Sequence, residues 1–269
     1  MKKSKAIHWF RQDLRLSDNP ALYDGAKNNS ILPIYILDDK NSKDLSMGAA
    51  SKFWLHHSLA SLDKSLNENL SIYQGDPLEI LLDIINRLNI EEIYWNRCYE
   101  PWRIKRDTLI KKELESNGIK VTTLNGSLLW EPWTIKKGDG TPYKVFTPFF
   151  RKGCLLSDEP RKPLPTPNNL DFLHDNDKSL EINDLALLPS IRWDIEMKPF
   201  WNIGEDGANK RLSEFLGNGI ENYKKGRNFP AKPFVSRISP HMHFGEISPN
   251  QAWYAAKNTP CLCSIGYPL

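Results

Sequence analysis

The sequence holds no apolar stretch long enough to cross a bilayer, and its opening MKKSKAIHWF lacks the hydrophobic run of a signal peptide. Those absences make a cytoplasmic location without membrane partners the expectation. Net charge is nearly absent too. The 36 basic and 33 acidic residues leave +3, so any nucleic-acid-binding surface must be local. No GxGxxG follows the first apolar run and no GxxxxGKS/T occurs anywhere, which leaves a dinucleotide fingerprint and a P-loop without support. Cysteine is scarce. Cys98, Cys154, Cys261 and Cys263 match neither a disulfide framework nor a zinc site, the last pair being one residue short of the usual knuckle. Free thiols and no metal are expected.

What is present fits a globular chain. Its 269 residues are comfortable for about two domains, and 40% hydrophobic with 26% charged residues is ordinary. Nine tryptophans are many, and imply either a large core or a surface that stacks on flat rings. Short apolar runs at 6–10, 31–37 (ILPIYIL), 70–73, 91–95 (EEIYW) and 119–124 (IKVTTL) read as strands. Helical stripes lie between them: Leu55, Leu59, Leu62 and Leu66, then Leu78, Leu81, Leu82, Ile85 and Leu88. Asn19-Pro20 and Asp76-Pro77 each pair a cap residue with proline at the first helical position. The alternation predicts an α/β fold, a five-stranded parallel Rossmann-like sheet with helices on both faces. Ligand sites in such sheets lie beyond the carboxyl ends of the strands, which places Arg11–Asp18, Asp38, Asp39, Asp76 and Asn96–Glu100 on one rim.

After Leu124 the pattern changes. Residues 133–146 carry Gly138-Asp139-Gly140 between β-prone flanks and predict a hairpin or extended excursion. Residues 158–200, rich in proline, acids and amides, predict a long connector over the surface. From Gly204 a helical face of Ala208, Leu212, Phe215 and Leu216 appears, with Gly217 and Gly219 as a stop, and another helix starts at Ser248-Pro249. The division expected is 1–132 α/β, 133–200 connector and 201–269 an incomplete helical unit, with too few residues for a large core.

Several stretches carry chemistry. Arg11, Asp13, Arg15 and Asp18 either grip an anion or pair with one another to pin the loop and hold parts together. Glu100 follows a strand end. It could accept two hydrogen bonds from an amino-substituted heterocycle, or serve as a helix N-terminal carboxylate. Arg103, Lys105, Arg106, Lys111 and Lys112 read as a solvated helix face. Lys224, Lys225, Arg227 and Lys232 stand among aromatics and would suit a phosphodiester backbone. Ser236-Arg237-Ile238-Ser239 precedes a helix, where hydroxyls and free N–H groups suit a pyrophosphate. His241 and His243 diverge on a helix and read as structural.

Six stretches in order resemble the DNA photolyase/cryptochrome family, class I type: WFRQDLRLSDNPAL (9–22), GAASKFWLHHSLASL (48–62), WNRCYEPWRIKRD (95–107), YKVFTPFFRK (143–152), YKKGRNFP (223–230) and SRISPHMHFGEISP (236–249). The resemblance runs from about residue 6 to about residue 256. It implies an antenna-binding α/β domain, a connector and an all-α FAD-binding domain. It implies that Tyr223, Val235, Ser236, Arg237, Ile238 and Ser239 contact FAD, that Arg227 meets DNA phosphate, and that Glu100 holds the pterin of methenyltetrahydrofolate. A deazaflavin or no antenna is the alternative. The implied activity is light-driven repair of cyclobutane pyrimidine dimers by electron transfer from reduced FAD, in a monomer acting on damaged DNA. A cryptochrome-like photoreceptor and a non-catalytic antenna or small-molecule-binding module are the rival readings.

Two departures bear on this. The family commonly has threonine where Val235 stands, which removes one hydroxyl from the phosphate clamp. The helices that supply most of the flavin pocket, the tryptophan electron-transfer chain and the catalytic residues do not follow, and 259–269 does not resemble the family's continuation. A C-terminally truncated photolyase with little or no repair activity of its own is the expectation.

Overall fold

Five parallel strands, β1 (Ser4–Phe10), β2 (Asn29–Leu37), β3 (Ser71–Gln74), β4 (Glu92–Asn96) and β5 (Lys120–Leu124), form one sheet in the order β3-β2-β1-β4-β5 in the computed structural model, which describes residues 3–42 and 45–259. The strands lie within two residues of the apolar runs that predict them. Parallel pairing requires crossovers, and helices α1 (Pro20–Gly25), α2 (Ala49–Ser65), α3 (Pro77–Leu88) and α4 (Pro101–Ser116) supply them. The period of two in β1 divides the core. Ala6 and Phe10 face Leu22, Trp54, Leu55, Leu59 and Leu62 of α1 and α2. Ile7 and Trp9 face Leu81, Ile84 and Ile85 of α3 with Ile110 and Leu114 of α4. Both caps form as expected. The Asn19 side chain accepts from Leu22 N, and Asp76 from Leu78 N and Glu79 N.

His8 lies on the α1–α2 face of β1, fully buried, its Nδ1 without a hydrogen-bond partner among the described residues. Burial lowers its pKa to about 4. The unfolded chain therefore takes up a proton near pH 6.5 that the fold refuses until about pH 4. The stability tied to neutral His8 is complete above pH 6.5 and is lost as the pH falls towards 4, about 3 kcal/mol in all. Urea titrations at pH 7 and pH 4.5 should show this slope, and His8→Gln should flatten it.

Three expectations are corrected. Residues 133–146 form no strand; a turn closed by Lys137 N to Thr141 O takes the place of a hairpin. The connector is stapled to the sheet. Phe172 bridges Ile31, Leu180 bridges Ile72 at the open edge of β3, and Leu185 and Leu187 enter the core. Asp175 in this segment receives the Arg87 guanidinium at 2.6 and 2.9 Å and the Tyr73 hydroxyl at 2.6 Å. The Arg87 pairing holds its carboxyl well below the usual carboxylate range. Gly217 and Gly219 do not stop the chain's helical course. After α5 (Glu205–Glu214) the backbone continues through a wide turn to Gly226.

Two further helices are α6 (Ser239–Phe244), ended by Gly245 in the left-handed region, and α7 (Pro249–Lys257), started by a reciprocal Ser248–Gln251 capping box. Ala208 and Leu212 of α5 pack on Ile238 and Ile247 in a small separate core. Among the described residues no helix is long and apolar enough to cross a membrane. Cys98 and Cys154 are free thiols, while Cys261, Cys263 and the rest of the aperiodic tail beyond Thr259 lie outside the described residues.

Candidate functional site at the strand rim

The charged loop after β1 is buried. Arg11, Asp13, Arg15 and Asp18 are between 0% and 6% exposed, and each has a defined partner. Asp13 accepts from Arg11 N at 2.7 Å and from Asn96 Nδ2 at 2.6 Å, which ties the loop to the end of β4. Arg15 donates to the carbonyls of Asp18 at 2.8 Å, Gly126 at 2.7 Å and Gly245 at 2.8 Å. Asp18 accepts from Arg161, from Leu164 N and from the Ser248 hydroxyl. Glu205, at the start of α5, accepts from Leu16 N at 2.7 Å and Ser17 N at 3.0 Å. Trp54 and His241 converge on fully buried Glu246 at 2.9 and 2.5 Å. The loop is thus a joint between the sheet and helices α5–α7. His241 belongs to that joint.

Beside the joint, at the carboxyl ends of β1, β2 and β4, lies a cavity of about 190 Å³. Trp9, Tyr35 and Trp102 give it flat walls, and Arg11, Arg103, Arg106, Asp38 and Glu100 give it charge. Arg103 and Arg106 lie 4.9 and 5.2 Å from the Trp102 ring, and Arg11 lies 5.0 Å from Trp9. Three polar atoms here are shielded from solvent and lack hydrogen-bond partners among the described residues: Trp9 Nε1, Arg11 Nε and Arg103 Nε. Unmade donors in a lined cavity are where a ligand's acceptors gain most. Burial pushes the Tyr35 phenol up to about 12, so it remains a neutral donor. Indole faces, guanidinium donors and carboxylate acceptors together suit a flat heterocycle with carbonyl and amino edges.

Glu100 sits at the mouth of this cavity. It precedes α4 without capping it and lies 3.7 Å from Arg103. Arg106 is a correction. It is not part of a solvated face but is buried, bonded to Asp38 at 2.8 Å and Asp107 at 2.7 Å. The missed signal was spacing, since Arg106, Ile110 and Leu114 form one i, i+4, i+8 stripe. Lys105 and Lys112 of the same run are exposed. Trp102 gave no signal because a lone aromatic in a charged helix carries no pattern.

The second group of expected residues lies elsewhere. Tyr223 opens a single helical turn, is 40% exposed, and packs against Phe215 while the Arg227 guanidinium stands 5.5 Å from its ring. Val235, Arg237 and Ser239 are exposed, Ser236 is half-buried and Ile238 packs into the small core. Arg237 has φ +52°, a left-handed position at the approach to α6. The Ser236 and Ser239 hydroxyls make no hydrogen bond among the described residues. They are free to meet phosphate oxygens, but none of the cavities described is lined by Tyr223 or residues 235–239.

Residues 6–168 match the sequence profile of DNA photolyase. The chain belongs to that family. It is similar to a deoxyribodipyrimidine photo-lyase of Agrobacterium fabrum, 38% identical over 262 residues, covering 96% of this chain and 54% of the relative. It is also similar to cryptochrome-1 of Arabidopsis thaliana, 29% identical over 266 residues, 94% of this chain and 38% of the relative. Among solved structures, a bacterial class III photolyase from Agrobacterium tumefaciens superposes with a TM-score of 0.89 at 37% identity, over 96% of this chain and 54% of that one. The motif set alone reads as class I, whereas this photolyase is described as class III. The chain spans about half the length of the curated photolyase relatives it matches.

Proposed function

We propose that this photolyase-family chain carries the antenna site and the phosphate-facing part of the flavin site of a deoxyribodipyrimidine photolyase. That enzyme splits cyclobutane pyrimidine dimers in damaged DNA under light and works in the cytoplasm. The observation that carries the antenna assignment is the rim cavity, among whose flat aromatic walls Trp9 Nε1, Arg11 Nε and Arg103 Nε are shielded and make no hydrogen bond among the described residues. They fit the pterin of methenyltetrahydrofolate. Glu100 and Asp38 would accept from its amino group, Arg11 and Arg103 would donate to its carbonyl edge, and Trp102 would flank the ring. FAD, when bound, supplies the electron, as cofactors generally carry the hard chemistry. The free hydroxyls of Ser236 and Ser239, with Tyr223, Val235, Arg237 and Ile238 around them, fit its phosphates, and Arg227 in its basic surroundings fits a DNA phosphate. Val235 offers no hydroxyl, so the clamp rests on the two serines.

Residues 1–269 should retain methenyltetrahydrofolate through gel filtration, with a folate absorption band and no stoichiometric flavin, and should show little or no dimer repair. Arg103→Ala with Trp102→Ala should weaken folate retention by tenfold or more. Loss of folate binding in the unaltered chain would remove the antenna assignment, and stoichiometric FAD would refute the expectation of inactivity. A complete gene product that bound no FAD and left dimers intact under blue light would overturn the photolyase reading. The similarity to cryptochrome-1 supports a second reading, a blue-light photoreceptor, for which flavin binding without repair is the expected result.

A further inference from the structure

A second concave surface lies away from the rim, between α2 and the start of α5. Its volume is about 530 Å³. From α2 it receives His57, Ser61, Lys64 and Ser65, which share one helical face at i, i+4, i+7 and i+8. From the opposite side come Lys198, Trp201, Gly207 and Lys210.

The charge of this basin is unbalanced. Lys64, Lys198 and Lys210 face a single carboxylate, Asp206, and none of the three lies within ion-pair distance of an acid among the described residues. Elsewhere lysines such as Lys27, Lys120 and Lys178 do have such partners. Three ammonium groups around one concavity repel each other unless an anion lies between them. The polar groups beneath are also unmet. His57 Nε2 is shielded from solvent without a hydrogen-bond partner among the described residues, and Ser61 Oγ makes no hydrogen bond there. The start of α5 adds donors. Gly204 precedes it at φ +109° with no side-chain cap, so first-turn N–H groups have no side-chain acceptor.

Two glycines make the approach possible. A Cβ on Gly204 would stand 2.0 Å from Ser61 Oγ, and one on Gly207 would stand 1.6 Å from the Asn202 carbonyl oxygen. The start of α5 therefore packs directly against Ser61 of α2 and against Asn202, both of which line the basin. Half-buried Trp201, held edge-on to Trp54 at 5.0 Å, offers a flat surface at the basin's side.

We propose that this basin binds a nucleoside polyphosphate, with its phosphates among Lys64, Lys198, Lys210 and the start of α5 and its base against Trp201. Occupancy would reinforce the joint described above, because Glu205 on the same first turn of α5 holds the amides of Leu16 and Ser17. The site is separate from the rim cavity and from residues 223–239, and it does not depend on the photolyase reading.

The test is calorimetric titration of the 269-residue chain with ATP and, separately, with tripolyphosphate, at low and moderate salt. ATP should bind with quenching of tryptophan fluorescence. Lys64→Ala with Lys210→Ala should weaken it tenfold or more, and Lys64→Glu should abolish it. These are exposed side chains, so folding is not at stake, and Lys111→Ala on α4 should leave binding unchanged. Absence of ATP binding, or binding indifferent to Lys64 and Lys210, would overturn the proposal. Tripolyphosphate binding as tightly as ATP would overturn the nucleoside part, and tighter ATP binding with Trp201 quenching supports it.

Discussion

Arg15→Ala is expected to destabilise the protein by about 3–5 kcal/mol, a large share of the roughly 5–15 kcal/mol typical of a domain. The side chain is 1% exposed and its fork satisfies three backbone carbonyls from three separate segments, those of Asp18, Gly126 and Gly245. Alanine would leave those acceptors unpaired in a dry site and remove a buried cation that attracts Asp13 and Asp18, each effect costing on the order of 1–3 kcal/mol. Lysine restores the charge but not the fork, so Arg15→Lys should recover only part. Urea denaturation measures the loss, and limited proteolysis should show residues 204–259 cut first. A loss below about 1 kcal/mol would mean the loop does not seat the helices.

Gly245→Ala should cost about 2–5 kcal/mol through a different physical route. Gly245 has φ +69°, which alone disfavours a side chain by about 1–2 kcal/mol. Steric contact costs more. A Cβ there would lie 2.0 Å from the Gln12 carbonyl oxygen and 2.5 Å from Asp13 Cα, both backbone atoms that cannot rotate aside. The loop and the end of α6 would have to separate, which also breaks Arg15 to Gly245 O and Leu14 N to Phe244 O. Gly118→Ala is the matched control, since φ is +79° but nothing lies within 4 Å of its Cβ. It should lose about 1 kcal/mol, and comparing the two in thermal melts isolates the contact. Equal losses would place the cost in backbone strain alone. Because Arg15 and Gly245 share a hydrogen bond, the double variant should lose less than the sum.

Much of the α/β half was legible because period and punctuation agree there. Five apolar runs alternate with leucine stripes, and Asn19-Pro20 and Asp76-Pro77 state where helices begin. The rim position of Arg11, Asp38 and Glu100 follows from strand polarity alone. What was not legible depends on partners distant in the chain. Arg106 looks solvated until Asp38, 68 residues away, is brought to it by β2. Residues 171–180 look like free linker, since strand-edge pairing uses backbone groups that composition does not reveal. The choice at Arg11–Asp18 between gripping an anion and joining parts could not be made locally. Its deciding partners, Gly245 and Ser248, are 230 residues away.

That separation sets an order of events during synthesis. At roughly 5–20 residues per second, all five strands leave the ribosome long before Gly245 and Ser248 do. For roughly ten to fifty seconds Arg15 and Asp18 exist without the groups that bury them, and hydration must keep the loop open while the sheet forms behind it. The edge of β3 is covered earlier, once residues up to 180 emerge, so that edge of the nascent sheet is protected from pairing with other chains before the charged loop is closed. The joint is the last part to form, and a ribosome stalled before residue 245 would hold a finished sheet with an open latch.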